Sequence, residues 1–131
     1  MRGRAELKRP GRPLADKDVL IVEDRYLMAQ DLADEVVRLG GRVVGPANSV
    51  QGAAGLLAQS KPDLAMLDIS LQGETVFPLA EELERREIPI LFVTGYDQAV
   101  MPPRWKSHGC VAKPLDRQRL RVEIERLQLA G

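Results

Sequence analysis

From Asp18 onward the chain alternates short apolar runs with stretches in which apolar residues recur every three or four positions. Val19-Leu20-Ile21-Val22 is too short for a helix and rich in β-branched residues, so it predicts a strand buried on both faces. Met28, Leu32, Val36 and Leu39 recur at helical spacing and stop at Gly40-Gly41, which predicts an amphipathic helix over 25–39. Val43-Val44 predicts a short second strand. Asn48 or Ser49 then caps a helix whose buried face is Val50, Ala53, Ala54 and Leu57. Lys61-Pro62-Asp63 breaks that helix, and Leu64-Ala65-Met66-Leu67 predicts a third buried strand that runs into Asp68.

A polar loop follows. Val76, Leu79, Ala80 and Leu83 mark a third helix, with Thr75 as its cap and Pro78 in its first turn, where proline is tolerated. Ile90-Leu91-Phe92-Val93 predicts a fourth strand leading into Thr94-Gly95. Residues 98–107 contain Pro102-Pro103 and no sustained period, so a fourth helix is expected to be short or absent. Val111-Ala112 is a short fifth strand before Lys113-Pro114. Asp116 caps a last helix with Leu120, Ile124 and Leu127 on its buried face and Leu115 placed as a hydrophobic staple to Leu120. Five strands alternating with helices predict an α/β fold with a doubly wound parallel sheet and right-handed crossovers.

Composition narrows the function classes. With 131 residues the chain is one ordinary domain. Lys plus Arg and Asp plus Glu each number 19, so no whole-molecule basic field favours nucleic acid. The charge is uneven, because residues 1–17 carry six basic side chains against two acidic ones and no apolar period. They predict a basic flexible arm ahead of a mildly acidic domain over 18–131. One cysteine, Cys110, and one histidine, His108, argue against an internal disulfide and against Cys- or His-based metal sites. The apolar runs fall far short of the roughly 18 to 20 residues of a membrane helix. These features predict a soluble, cytoplasmic protein with neither nucleic acid nor membrane as partner.

In an open parallel sheet ligands sit beyond the carboxyl ends of the strands. Those ends carry Glu23-Asp24, Asp68, Thr94-Gly95 and Lys113-Pro114. Alone, Glu23-Asp24 reads as readily as a solvated strand end or a helix cap as it does as a functional pair. Three carboxylates at one edge repel one another, however, and a hard divalent cation relieves the conflict. Magnesium, or manganese in its place, suits oxygen ligands completed by water or a phosphate oxygen. Lys113 adds a positive charge, Thr94 a hydroxyl donor, and Gly95 an amide that an anion can approach. These parts suit phosphoryl transfer.

Val22-Glu23-Asp24, the run Pro62 to Asp68, Thr94-Gly95 and Lys113-Pro114, in this order, resemble a receiver domain of two-component response regulators over residues 18–129. Pro89 to Tyr96, the loop Asp68 to Glu74 and the poor fourth helix are also similar to the alphaproteobacterial receivers nicknamed the FAT GUY group, although Val93 stands where that group has alanine. The resemblance implies a flavodoxin-like sheet of order 2-1-3-4-5. It implies Asp68 as phospho-acceptor, Glu23 and Asp24 as the metal-binding acidic pair, and the backbone carbonyl of Ser70 as a further metal ligand. Thr94, Gly95 and Lys113 would contact the phosphoryl group, with a cis bond before Pro114. The donor would be a sensor histidine kinase or a histidine phosphotransferase docking near the first helix. The output would be a downstream protein partner, since no output domain is expected after Gly131. In many receivers an aromatic residue three positions before the lysine reports the switch; here that residue is Cys110, which shifts the expectation to Thr94, Tyr96 and segment 97–107.

Two other functions fit parts of the pattern. A magnesium-dependent aspartyl hydrolase of the haloacid dehalogenase kind would carry a second aspartate where Ser70 stands and needs room for a cap domain. A degenerate receiver acting only as a binding module would have lost one of the acids or the lysine. His108 reads as a surface or loop histidine and Cys110 as a buried strand residue. Trp105 reads as a core plug or a partner-contact anchor, and Tyr96 as lining the rim of the site.

Overall fold

The structure is a computed structural model that describes residues 11–71, 73–95 and 101–129. Five parallel strands, β1 (Asp18–Val22), β2 (Arg42–Ala47), β3 (Leu64–Asp68), β6 (Ile90–Thr94) and β7 (Gly109–Ala112), form one sheet. Its order is β2-β1-β3-β6-β7, which is the expected 2-1-3-4-5 once the two short strands β4 (Ser70–Leu71) and β5 (Glu74–Thr75) are set aside. The helices are α1 (Tyr26–Arg38), α2 (Val50–Leu57), α3 (Phe77–Arg85) and α4 (Arg117–Arg126).

Period-two alternation along the central strands divides the core into two layers. Leu20, Val22, Ala65, Leu67, Ile90 and Phe92 face one way and pack with Ala53 and Leu57 of α2 and Leu79, Ala80 and Leu83 of α3. Val19, Ile21, Leu64, Met66, Leu91 and Val93 face the other way against Leu32 and Val36 of α1 and Leu120 and Ile124 of α4. Burial on both faces is why these strands read as unbroken apolar runs.

Helix ends follow local chemistry. Ser49 Oγ accepts from the Gly52 amide at 2.9 Å, and Asp116 Oδ1 accepts from the Gln118 and Arg119 amides at 2.9 and 3.2 Å. After α1, Gly40 adopts φ +99° while its amide and that of Gly41 donate to the carbonyls of Val37 and Val36. The left-handed turn there favours glycine. The start of α3 lies one residue later than expected: Val76 is the cap position, and Thr75 Oγ1 accepts from the Phe77 amide at 3.3 Å instead of capping directly.

Three further differences have physical causes. Residues 11–17 of the expected arm pack on the domain: Leu14 is fully buried against the α1 and α4 layer and its amide donates to the Leu39 carbonyl at 3.0 Å, while residues 1–10 lie outside the described residues. The polar loop after Asp68 contains the antiparallel pair β4 and β5, turning at Gly73 with φ +68°. The second strand spans six residues rather than two, since Gly45-Pro46 and Ala47 continue its course. Where a fourth helix would lie, the described residues show one 3-10 turn, Pro103–Trp105, in line with the doubled proline. Among the described residues, no helix is long and apolar enough to cross a membrane.

Candidate functional site

The carboxyl edge of the sheet gathers the residues singled out in the sequence. Glu23 follows β1, and its amide donates to the Ala47 carbonyl at 2.9 Å, which holds it in line with β2. Its side chain is buried, and Oε2 accepts from the Arg25 amide at 3.0 Å. Asp24 is half-buried beside it. Asp68 ends β3 and is buried; its Oδ1 accepts from the Ser70 amide at 3.1 Å. Oxygens of Glu23, Asp24 and Asp68 lie within 4.8 Å of one another.

Lys113 closes the group from β7. Its amide donates to the Thr94 carbonyl at 2.7 Å, and its Cδ lies 3.8 Å from where a side chain on Gly95 would begin. The Nζ reaches Asp68 Oδ2 at 3.2 Å and Glu23 Oε1 at 3.0 Å. The Lys113-Pro114 bond is cis. Thr94 is buried at the end of β6 and Gly95 is exposed. Tyr96 and 97–100 lie outside the described residues.

The electrostatics at this edge are unbalanced. Burial pushes the Glu23 carboxyl above the ordinary glutamate range and the Asp68 charge adds to the shift; the Arg25 amide and Lys113 oppose it. Glu23 Oε1 is a buried oxygen without an aligned hydrogen-bond donor, and its contact with Lys113 is an ion pair only. Lys113 is one positive charge among three carboxylates, so a cation supplied from outside would offset the remaining negative charge, and three convergent carboxylate oxygens suit a hard divalent ion.

Neighbouring residues refine the sequence reading. His108 lies in a loop, as expected, and is tethered there: its Nε2 lies 2.7 Å from Glu84 Oε2, and its ring packs edge-on against Phe92. Trp105 is buried as a core plug, stacked on Phe77 with centroids 5.4 Å apart, and Arg104 lies over its ring at 4.0 Å. Cys110 is only half-buried. Glu74 Oε1 accepts from the Val50 amide at 2.7 Å. The partners Glu84 and His108, like Glu74 and Val50, are 24 residues apart, beyond any local periodicity.

A doubly wound sheet bearing an acidic cluster and a lysine at its carboxyl edge defines a class of small α/β domain rather than one protein. The chain belongs to the response regulator receiver domain family, whose model matches residues 19–125. Among relatives, the sensory transduction protein LytT of Bacillus subtilis is 31% identical over 112 residues, covering 82% of this chain and 46% of LytT. The transcriptional regulatory protein PdtaR of Mycobacterium tuberculosis is 33% identical over 95 residues, covering 72% of this chain and 46% of PdtaR. The chain thus spans about half the length of these curated relatives. Among solved structures, SdrG of Sphingomonas melonis has a TM-score of 0.77 at 31% identity, covering 89% of this chain and 98% of SdrG. The receiver domain of the Erythrobacter litoralis response regulator PhyR has a TM-score of 0.79 at 27% identity, covering 87% of this chain and 91% of that domain.

Proposed function

We propose that this chain is a phosphorylation-dependent signalling switch that accepts a phosphoryl group on Asp68 from a phosphohistidine. The observation that carries the reading is the setting of Asp68: one carboxylate oxygen faces Lys113 Nζ and the other accepts the Ser70 amide, with Glu23 and Asp24 alongside. An Asp68 oxygen attacks phosphorus, the P–N bond of the donor breaks, and the imidazole leaves with that electron pair, yielding an acyl phosphate and a histidine. Lys113 offsets the charge that the transferring oxygens bring to an already acidic edge. The Thr94 hydroxyl and the Gly95 amide are assigned as further donors to those oxygens.

Glu23, Asp24, Asp68 and the Ser70 carbonyl are assigned as the ligands of magnesium, or manganese. The buried, unaligned Glu23 Oε1 supports this assignment. When bound, the ion neutralises the carboxylates and the phosphoryl oxygens. The donor is a sensor histidine kinase or a histidine phosphotransferase. Tyr26 and Leu27, 79% and 75% exposed on the first turn of α1, support docking of its helix there. The switch acts in the cytoplasm, and a partner protein reads its output.

The test is intact-mass analysis after incubation with acetyl phosphate or a phosphorylated donor. The expected result is one added phosphoryl group in the wild type, lost in Asp68→Asn and lost when magnesium is chelated. Full labelling of Asp68→Asn at the same site overturns the assignment. Sustained, Asp68-dependent turnover of free phosphate esters makes the chain a hydrolase instead.

A further inference from the structure

The hairpin between Asp68 and α3 is fixed at both ends by burial. Leu71 on β4 is 5% exposed and Val76, just after β5, is fully buried. Between them the exposed turn has one link to the rest of the described molecule that involves a charged group: Glu74 Oε1 accepts the Val50 amide at 2.7 Å. That amide is one of the first-turn donors that a helix cannot satisfy internally. Ser49 serves the Gly52 amide of the same turn, so the sequence separately supplies a second acceptor, from a strand 24 residues away, for Val50. The helix dipole strengthens a carboxylate contact at this end.

This bond bears on the acidic centre through the strand ladder. Glu74 pairs with Leu71, and Thr75 with Ser70. Ser70 in turn donates its amide to Asp68 Oδ1 at 3.1 Å. The chain of contacts from α2 to Asp68 is therefore Val50, Glu74, Leu71, Ser70, Asp68, each step a hydrogen bond, a strand pair or a peptide bond. From this geometry we infer that Glu74 is a positioning residue: by strapping the hairpin to the start of α2, it sets the distance of the Ser70 backbone from Asp68 and so the readiness of the acidic centre to take a divalent cation. Glu74 itself does not touch the centre. The inference rests on the reading of Glu23, Asp24, Asp68 and Ser70 as metal ligands.

Both ends of the bond can be removed separately. Glu74→Ala deletes the acceptor. Val50→Pro deletes the donor at the first position of α2, where proline fits, and Ser49 before it already has the extended φ of −156° that a following proline requires. Glu74→Gln keeps a carbonyl oxygen able to accept. Calorimetric titration with magnesium chloride, with no phosphodonor present, should show affinity reduced about three- to tenfold in Glu74→Ala and in Val50→Pro. The double variant should lose no more than the larger single loss, and Glu74→Gln should stay within about twofold of wild type. Amide exchange at Ser70 should accelerate in the two disrupting variants and not in Glu74→Gln.

Unchanged magnesium affinity in both single variants overturns the strap, as does strict additivity in the double variant. Failure of the underlying metal reading looks different: Asp24→Asn would then bind magnesium as well as wild type does. In that event Ser70 exchange alone decides, with acceleration in Glu74→Ala and Val50→Pro supporting the strap and unchanged protection overturning it.

Discussion

Leu14 and Leu39 are joined by a backbone hydrogen bond of 3.0 Å, and both side chains are fully buried in the layer between the sheet and helices α1 and α4. The Arg42 amide likewise donates to the Lys17 carbonyl at 2.8 Å, so the segment before β1 forms part of the end of the sheet opposite the acidic centre. Removing residues 1–10 should leave the melting temperature nearly unchanged. Leu14→Ala should cost about 2 to 4 kcal/mol through the cavity it leaves. Thermal unfolding of the two variants checks this, and equal stability would show that Leu14 is not a core residue.

That contrast shows what the sequence could disclose. The strands Val19 to Val22, Leu64 to Leu67 and Ile90 to Val93 are legible because burial on both faces demands runs of apolar residues. The strand ends then deliver Glu23, Asp24, Asp68, Thr94 and Lys113 to one edge by topology alone. Leu14 is illegible because a single apolar residue between Pro13 and Ala15-Asp16 has no period. Strands of two residues, as in β4 and β5, are too short to show alternation. The bonds Glu74 to Val50 and Glu84 to His108 join distant elements through ordinary surface residue types, and only the folded arrangement reveals them.

Glu23 contributes to the pH dependence of the metal-free protein. Its carboxyl titrates above the ordinary value of about 4.5 in the folded state, so the folded state holds a proton that the unfolded state has released. Stability from this group is complete below that value and is lost as pH rises through the folded-state value. Chemical denaturation in the presence of a chelator should therefore show Glu23→Gln falling less steeply than wild type above pH 4.5. The same substitution should weaken magnesium binding, because it removes one of the three converging negative charges. A steeper fall in Glu23→Gln would mean that its pairing with Lys113 outweighs the cost of burial.

Glu84 holds the segment that stands in place of a fourth helix. Arg104 Nη2 donates to it at 2.8 Å, and His108 meets its other oxygen at 2.7 Å. Arg104 and His108 hold the Glu84 carboxyl below the ordinary range, so its contribution is present above about pH 4.5 and is lost as pH falls through its lowered value. Trp105 lies between these partners and is the chain's one tryptophan, so its emission reads this region alone. Glu84→Gln should shift that emission to the red at neutral pH and remove its acid-dependent change. An unshifted spectrum would place the restraint of Trp105 in the aromatic stack alone.

The same tryptophan is placed to report the state of Asp68. Phe92 lies two residues before Thr94 on β6, so both side chains project to one face of the sheet, and the Phe92 ring meets Trp105 edge-on with centroids 6.0 Å apart. Phe77, at the end of the chain segment that leaves Asp68, stacks on Trp105 and meets Phe92 edge-on. Cys110, paired in register with Phe92 on β7, has no ring with which to follow a movement of Thr94. If phosphorylation draws the Thr94 hydroxyl toward the new oxygens, β6 transmits the displacement to Phe92 and then to Trp105, because packed aromatic rings move together or lose contact. Acetyl phosphate with magnesium should change Trp105 emission in the wild type and leave Asp68→Asn unaffected. Cys110→Ser should keep the change. Thr94→Ala and Phe92→Leu should reduce it at least about twofold while mass analysis still finds phosphoryl on Asp68, since both alterations leave Asp68 and Lys113 in place. A response lost in Cys110→Ser but intact in Phe92→Leu would place the route on β7 instead.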